Sequence, residues 1–271
     1  MAITLRNLGN AHGALCDYAK SRDLLERALA INEGEYGSDH VEVAITLTNL
    51  GEAYRDLGDN AKSRDVLERA LAIFEREYGR DHVELTITLR NLGFACGRLG
   101  DNAKRRDLTE RALAINEREY GRDHVQVAVT LTNLGNTHGF LGDNGKKRDL
   151  LERALAIQER EFGRDHVKVA ITLLNLGDVY RVLGDAAKAR DLLDRALAIF
   201  EREHGRDHVQ VAETLTNLGV AHGDLGNDAK KRDLLERALA IFERGNGGDH
   251  PYAVLCREQL ELKASETRPA S

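Results

Sequence analysis

The sequence predicts an all-α solenoid, six helical hairpins in series followed by one terminal helix. Three observations predict it. The stretch EREYGRDHV at Glu75–Val83 recurs letter for letter at Glu117–Val125, a step of 42 residues, and near-copies begin at Glu33, Glu159, Glu201 and Glu243 in the same register. A fixed period of this length marks a repeat architecture, in which a unit that cannot bury its apolar face alone stacks on its neighbours. Only two prolines, Pro251 and Pro269, interrupt a chain whose long segments are filled with Ala, Leu, Glu and Arg, all strong helix formers. Glycine recurs at the same places in each copy, as turn and cap glycines do.

Bulk properties narrow the function classes. With 271 residues, 42% hydrophobic and 31% charged, the chain can bury a sizeable core. No apolar run reaches the roughly 18 residues of a membrane span, and the start, MAITLRNLGNAHG, lacks the basic and apolar blocks of a signal peptide. A net charge of −6 argues against a nucleic-acid partner. Three cysteines, Cys16, Cys96 and Cys256, without metal-like spacing, fit a reducing cytoplasmic setting and no metal or cofactor.

The elements follow in order within each repeat. In the repeat 41–82, Val43, Leu47, Leu50, Gly51, Tyr54 and Leu57 make a helical stripe. Gly58-Asp59-Asn60 breaks it: glycine takes the left-handed conformation that ends a helix, and Asp or Asn caps the next. Val66, Leu67, Ala70, Leu71 and Phe74 form the second stripe, Gly79 ends it, and Arg80-Asp81-His82 starts the next repeat. The repeats are then about 1–40, 41–82, 83–124, 125–166, 167–208 and 209–250, one domain over 1–265 with a capping helix at 251–264 and a flexible tail at 265–271. Pro251 fits a first helical position, and Tyr252, Leu255, Leu260 and Leu262 form the inward face. The first helix begins at a position equivalent to mid-helix elsewhere, so it is expected to be short and is a candidate for end-to-end self-association. Cys16 stands where every other repeat has its turn glycine, which predicts a distorted first turn.

Leu50-Gly51, Ala53-Tyr54, Gly58-Asp59 and Ala70-Leu71 resemble the tetratricopeptide repeat (TPR), whose usual length is 34 residues. The eight extra residues and the words ALAI, EREYG and DH resemble the longer repeats of kinesin light chains. The resemblance covers nearly the whole chain and implies a right-handed superhelix whose first helices line a concave groove. It also implies a protein-interaction scaffold. Departures are visible. Asp-His-Pro occurs only at Asp249-His250-Pro251, and the column that usually holds a small residue reads Ser21, Ser63, Arg105, Lys147, Ala189 and Lys231. Basic chains there are expected to snorkel outward.

The candidate site is that groove. His40, His82, His124, His166, His208 and His250 form a ladder with rungs too far apart to share one metal ion, and are read as serving helix starts. His12, His138 and His222 share a column with Tyr54 and Tyr180 and read as packing substitutes. Arg-Glu pairs such as Arg64 and Glu68 read as solvated i,i+4 partners. No hydrolase, phosphate-loop or zinc motif is present, so no enzyme is predicted. The second helices barely vary between repeats, whereas a few first-helix columns on one face do; these hold Arg6, Arg55, Arg90, Phe94, Arg98, Phe140, Leu174, Asp178 and Arg181. Between them every repeat keeps one asparagine: Asn7, Asn49, Asn91, Asn133, Asn175 and Asn217. Asparagine is a poor interior helix residue, and its amide can meet a peptide backbone as donor and acceptor; in relatives that bind extended peptides it grips the ligand main chain. The expected function is non-enzymatic binding of an extended peptide or partner protein, with acidic residues toward the first repeats and bulky apolar side chains centrally. Two alternatives stay open, a ligand-sensing arm of a larger nucleotide-dependent switch protein and a self-assembling repeat module.

Overall fold

The structure, a computed structural model, describes residues 1–245 and 250–266, with side chains through Glu261. Asp249, the Leu262 side chain and the tail beyond residue 266 therefore lie outside the described residues. Among the described residues there are thirteen helices and no strand. The chain divides into two compact units, Met1–Gly142 and Asp143–Ser271. The first holds α1 (Ala2–Ala14), α2 (Tyr18–Tyr36), α3 (Val41–Asp56), α4 (Asn60–Tyr78), α5 (Leu85–Arg98), α6 (Asn102–Tyr120) and α7 (Val125–Phe140). The second holds α8 (Asn144–Phe162), α9 (Val167–Val182), α10 (Ala186–His204), α11 (Val209–Asp224), α12 (Asp228–Gly245) and α13 (Pro251–Glu266).

The hairpins predicted from the stripes pack as α1 on α2, α3 on α4, α5 on α6, α9 on α10 and α11 on α12, and each second helix within a unit also packs on the first helix of the next repeat. The fold is an all-α solenoid. Close approach comes from a glycine in each first helix. A Cβ at Gly51 would stand 2.5 Å from Leu67 Cγ, and one at Gly177 2.5 Å from Leu193 Cγ, so only glycine lets these helices meet. The core of the first unit gathers Val43, Leu47, Phe74 and Leu89, and that of the second Leu173, Phe200, Leu215 and Phe242. Where the phenylalanine column changes to an amide, the packing becomes polar and satisfied. Asn32 donates to Thr46 Oγ1 at 2.9 Å, Asn116 donates to Thr130 Oγ1 at 2.9 Å, and Gln158 accepts from Thr172 at 2.7 Å.

Each joint is capped at both ends. Asp17, Asp59, Asp101, Asp143 and Asp185, with Asn227, accept from the backbone N–H three residues on. The histidine ladder is the other cap, standing at the cap position of α3, α7, α9 and α11 and two residues before that of α5. His40, His82, His124, His166, His208 and His250 each accept, through Nδ1, the backbone N–H two residues later at 3.1–3.3 Å. Each ring also stacks on an aromatic ring from the end of the preceding helix, as Tyr36 on His40 at 4.7 Å and His204 on His208 at 4.5 Å.

Three local expectations need correction, and one helix start departs from its copies. Cys16 does not distort the first turn; it adopts φ 63°, beside φ 81° for Gly58 at the same station, the one non-glycine residue with positive φ among those described. Helix α5 starts two residues later than its counterparts, because the Thr86 hydroxyl bonds Val83 O at 2.8 Å and holds a tighter turn where other repeats have alanine. Arg64 pairs with its neighbour Asp65 rather than Glu68, which instead receives Lys104 of the next repeat at 2.7 Å. In α13 it is Ala253 and Cys256 that are fully buried, with Tyr252 and Leu260 packed beside them and Leu255 only half-buried. The repeats are also clamped by arginines that the sequence did not single out: Arg69, Arg111, Arg195 and Arg237 each reach the glutamate 36 residues earlier, Glu33, Glu75, Glu159 and Glu201.

Candidate functional site

The variable columns of the first helices line a cleft in the first unit. In the first unit a cleft of about 160 Å³ is lined by Arg55 of α3, Arg90, Asn91 and Phe94 of α5, Arg105 and Thr109 of α6, and Asn133 of α7. Five of these seven are sequence-predicted groove residues. Arg105 was not; it was expected to swing outward to solvent.

Arg105 goes inward because of Gly97. A Cβ at Gly97 would lie 2.5 Å from Arg105 Cδ, so the missing side chain on α5 is the slot through which the arginine passes. Its residue exposure is 9%. The guanidinium carbon lies 4.9 Å from the Phe140 ring centroid and 5.9 Å from that of Phe94, and Arg55 approaches Phe94 from its other neighbour at 5.8 Å. Cation–π contacts of this kind stabilise by about 0.5–2 kcal/mol each and leave the N–H groups free for other partners. Burial draws the Arg105 guanidinium below its ordinary pKa, with no carboxylate acting against it. Arg90 is drawn down by burial too, with Glu52 opposing and Arg55 adding to the effect.

The same station recurs by a trade of sizes that the sequence displays in two columns. Where the first helix carries Arg55 or Arg181, the second carries Ser63 or Ala189; where the first helix carries Gly97 or Gly223, the second carries Arg105 or Lys231. Each arrangement delivers one cation to the variable face of the first helices. The cations differ in what neutralises them. Arg55 pairs with Asp56 at 2.8 Å, Lys147 with Asp178 at 2.9 Å, and Arg181 lies 3.8 Å from both Asp178 and Asp224. Lys231 donates to Gln259 at 2.8 Å. Arg105 has no hydrogen bond or ion pair from its guanidinium to any described residue. The position 31 residues on, which is Asp178 for Lys147, is Asn136 for Arg105.

The remaining predicted residues divide as follows. Arg6 is tied to Glu42 at 2.7 Å. Asn91 is buried and donates to Glu52 at 2.8 Å, and Asn217 bonds the Tyr252 hydroxyl. Asn7 is exposed and Asn49, Asn133 and Asn175 are half-buried, and their amides have no hydrogen bond to another described side chain or backbone group. Phe94 and Phe140 are 39% and 67% exposed, unusual for phenylalanine. Arg98 is exposed and Leu174 half-buried. In the histidine-for-tyrosine column, Tyr54 donates to Glu26 at 2.6 Å, Tyr180 donates to Glu152, and His138 Nε2 lies 3.9 Å from Glu110, each partner 28 residues earlier, whereas His12 faces Asp17 at 3.3 Å. Burial and that bond push the Tyr54 hydroxyl up to about 12; for Tyr180 the bond to Glu152 comes first and burial second, to about 12 as well.

Against known proteins, the tetratricopeptide repeat profile matches residues 1–76, 42–115, 88–159 and 168–244. The chain belongs to the tetratricopeptide repeat family. Among solved structures this TPR chain is similar to the nearly identical TPR-like repeats of a kinesin light chain-type protein of Podosopora anserina, with TM-score 0.65 and 21% identity over 77% of this chain and 99% of that one. It is similar to BtubC (BKLC) of P. vanneervenii, with TM-score 0.68 and 24% identity over 87% and 91%. It is also similar to a Rap protein complexed with competence and sporulation factor, with TM-score 0.66 and 17% identity over 97% and 76%. These likenesses are of fold. No curated protein matches the chain at a significant level. No described helix is long and apolar enough to cross a membrane.

Proposed function

We propose that this TPR chain is a non-enzymatic binding module that holds an extended segment of a partner protein against the inner faces of its first helices. The observation that carries the proposal is the asparagine ladder. One amide per repeat is kept on a helical face where asparagine costs helix stability, and those of Asn7, Asn49, Asn133 and Asn175 have no bond to another described residue that would explain them. An extended strand offers unpaired N–H and C=O groups along its length, and a row of amides meets them at any sequence. Exposed Phe94 and Phe140 supply apolar contacts beside the row. The structural likeness to a Rap protein complexed with competence and sporulation factor supports the reading at the level of fold.

The test is a displayed library of 12-residue peptides selected against the full chain. Asn49→Ala with Asn133→Ala should weaken a selected peptide by roughly tenfold, as loss of hydrogen bonds of about 0.5–1.5 kcal/mol each implies, while melting stays within a few degrees. Unfolding of the double variant would mean that these amides hold helices together, and the reading would fall.

A further inference from the structure

The inner-face cations are distributed unevenly in their compensation, and one of them is left for something else to complete. Arg55, Lys147, Arg181 and Lys231 each have an oxygen from the protein itself. Arg105 has none, although it is nine-tenths buried and a buried cation without a counter-charge is costly. Around it the cleft brings two more guanidiniums, Arg55 and Arg90, and the amides of Asn91 and Asn133. The nearby carboxylates face other groups: Asp56 pairs with Arg55, and Glu52 accepts from Asn91 and acts on Arg90. The equivalent of Asp178 is the neutral Asn136, and the equivalent of Gln259, which serves Lys231, is Asn133, which makes no bond to Arg105. The Arg105 guanidinium carbon lies within cation–π reach of Phe94 and Phe140, contacts that leave its forked N–H donors unused. Helix geometry is not distorted to achieve this; Gly97 gives way instead.

We infer that this cleft binds a single oxyanionic group, a carboxylate or a phosphate, and that the group is carried by a side chain of the bound peptide. The inference rests on the peptide-binding reading for the carrier and on Arg105 for the anion. The donors fit such a group: planar guanidiniums recognise the two oxygens of a carboxylate or the oxygens of a phosphate in paired hydrogen bonds, and the amide of Asn133 can add one donor. The site differs from general attraction between an acidic peptide and exposed arginines, because its central charge is buried and is screened little by salt.

Two measurements test it separately from the peptide reading. In the first, the arginine Nε–Hε NMR signals of the full chain are followed while inorganic phosphate, and in a second series acetate, is added at constant ionic strength. Saturable shifts are expected at Arg105, Arg55 and Arg90, with Arg181 unmoved, and the anion that saturates at the lower concentration names the carrier as phosphorylated or carboxylic. Arg105→Met should abolish the shifts at Arg55 and Arg90; should that variant not fold, Asn136→Asp, which offers an internal carboxylate, should abolish them too. Linear shifts shared by all arginines, or none, would overturn the site. In the second, peptides selected on the full chain are remade with Glu, phosphoserine or Gln at each acidic position. One position should lose roughly tenfold or more on conversion to Gln, as a charge-assisted bond of about 1.5–3 kcal/mol requires, and should lose nothing further in Arg105→Met. Peptides that bind with no such position leave the groove reading standing and overturn the anion site. Saturable phosphate or acetate shifts without any peptide binding do the reverse.

Discussion

The two compact units use the same packing and opposite electrostatics. Gly51 over Leu67 in the first and Gly177 over Leu193 in the second have the same 2.5 Å approach to a hypothetical Cβ. On the inner face the second unit is closed upon itself: Lys147 and Arg181 share Asp178, Arg181 also faces Asp224, and Lys231 meets Gln259. The first unit, built from nearly the same words, leaves Arg105 and Arg90 without an ion pair to a described residue. A repeat protein can therefore hold its scaffold constant and vary function by one residue per repeat. What decides whether a station is structural or open to a ligand is whether the protein supplies the cation with an oxygen partner, from its own helix as Asp56 does for Arg55 or from another as Asp178 does for Lys147.

The largest expected effect breaks the packing in both units alike. Gly51→Ala and Gly177→Ala should each destabilise by about 1–3 kcal/mol, the usual cost of overpacking, even though alanine is the better helix former. Denaturant midpoints should fall by equal amounts; a loss in only one unit would mean that the shared packing is not shared. Next, the charge difference can be exchanged. Asp178→Asn should destabilise by about 1–3 kcal/mol, because it strips Lys147, whose side chain is 12% exposed, of its partner. Asn136→Asp in the first unit should be neutral or stabilising. If both variants destabilise equally, the two stations are not electrostatic opposites.

Acid sensitivity should be sharper in the second unit. There His208 packs on His204, where other repeats place Tyr or Phe. Burial, and then repulsion from His204, hold the His208 pKa below 6.5. The unfolded chain then takes up the proton more readily than the folded one, so neutral His208 contributes its cap fully above about pH 6.5 and loses it as the pH falls below that. His222 acts in the same direction, through burial; Asp194 and Glu213, whose carboxyls burial raises, act oppositely at lower pH. Denaturant titrations at pH 7.5 and 5.5 should show stability lost on acidification, and His204→Tyr should reduce that loss. The smallest effect separates the first turn from its copies. Cys16→Gly removes a left-handed strain of about 1–2 kcal/mol and adds unfolded-chain entropy of about 0.5–1 kcal/mol, leaving a gain of about 0.5–1 kcal/mol. A loss on that substitution would show that the thiol, not the backbone, governs the turn.

Much of this was legible in the sequence, because the repeat signal is local. The 42-residue step, the apolar stripes, the Asp caps, the turn glycines and the helical start at Pro251 depend on residues within a few positions of one another, where helical periodicity and capping chemistry operate. The histidine ladder was read as serving helix starts for the same reason, although the use of Nδ1 as the acceptor and the stacking on Tyr36, Tyr78 and their equivalents came only from the structure. The variable columns were also visible, but not what each residue meets. That Glu68 serves Lys104, that Arg111 reaches back to Glu75, and that Asn217 is taken by Tyr252 are matters of residues 35 or more positions apart. Arg105 is the clearest case. The sequence placed a long cation in a column that usually holds a small side chain and gave it to solvent; the fold sent it through the gap at Gly97, beneath two phenylalanines. Helix formation is settled by neighbours along the chain, whereas the fate of a charge is settled by whatever the next repeats bring within a few ångströms of it, and that only the tertiary structure decides.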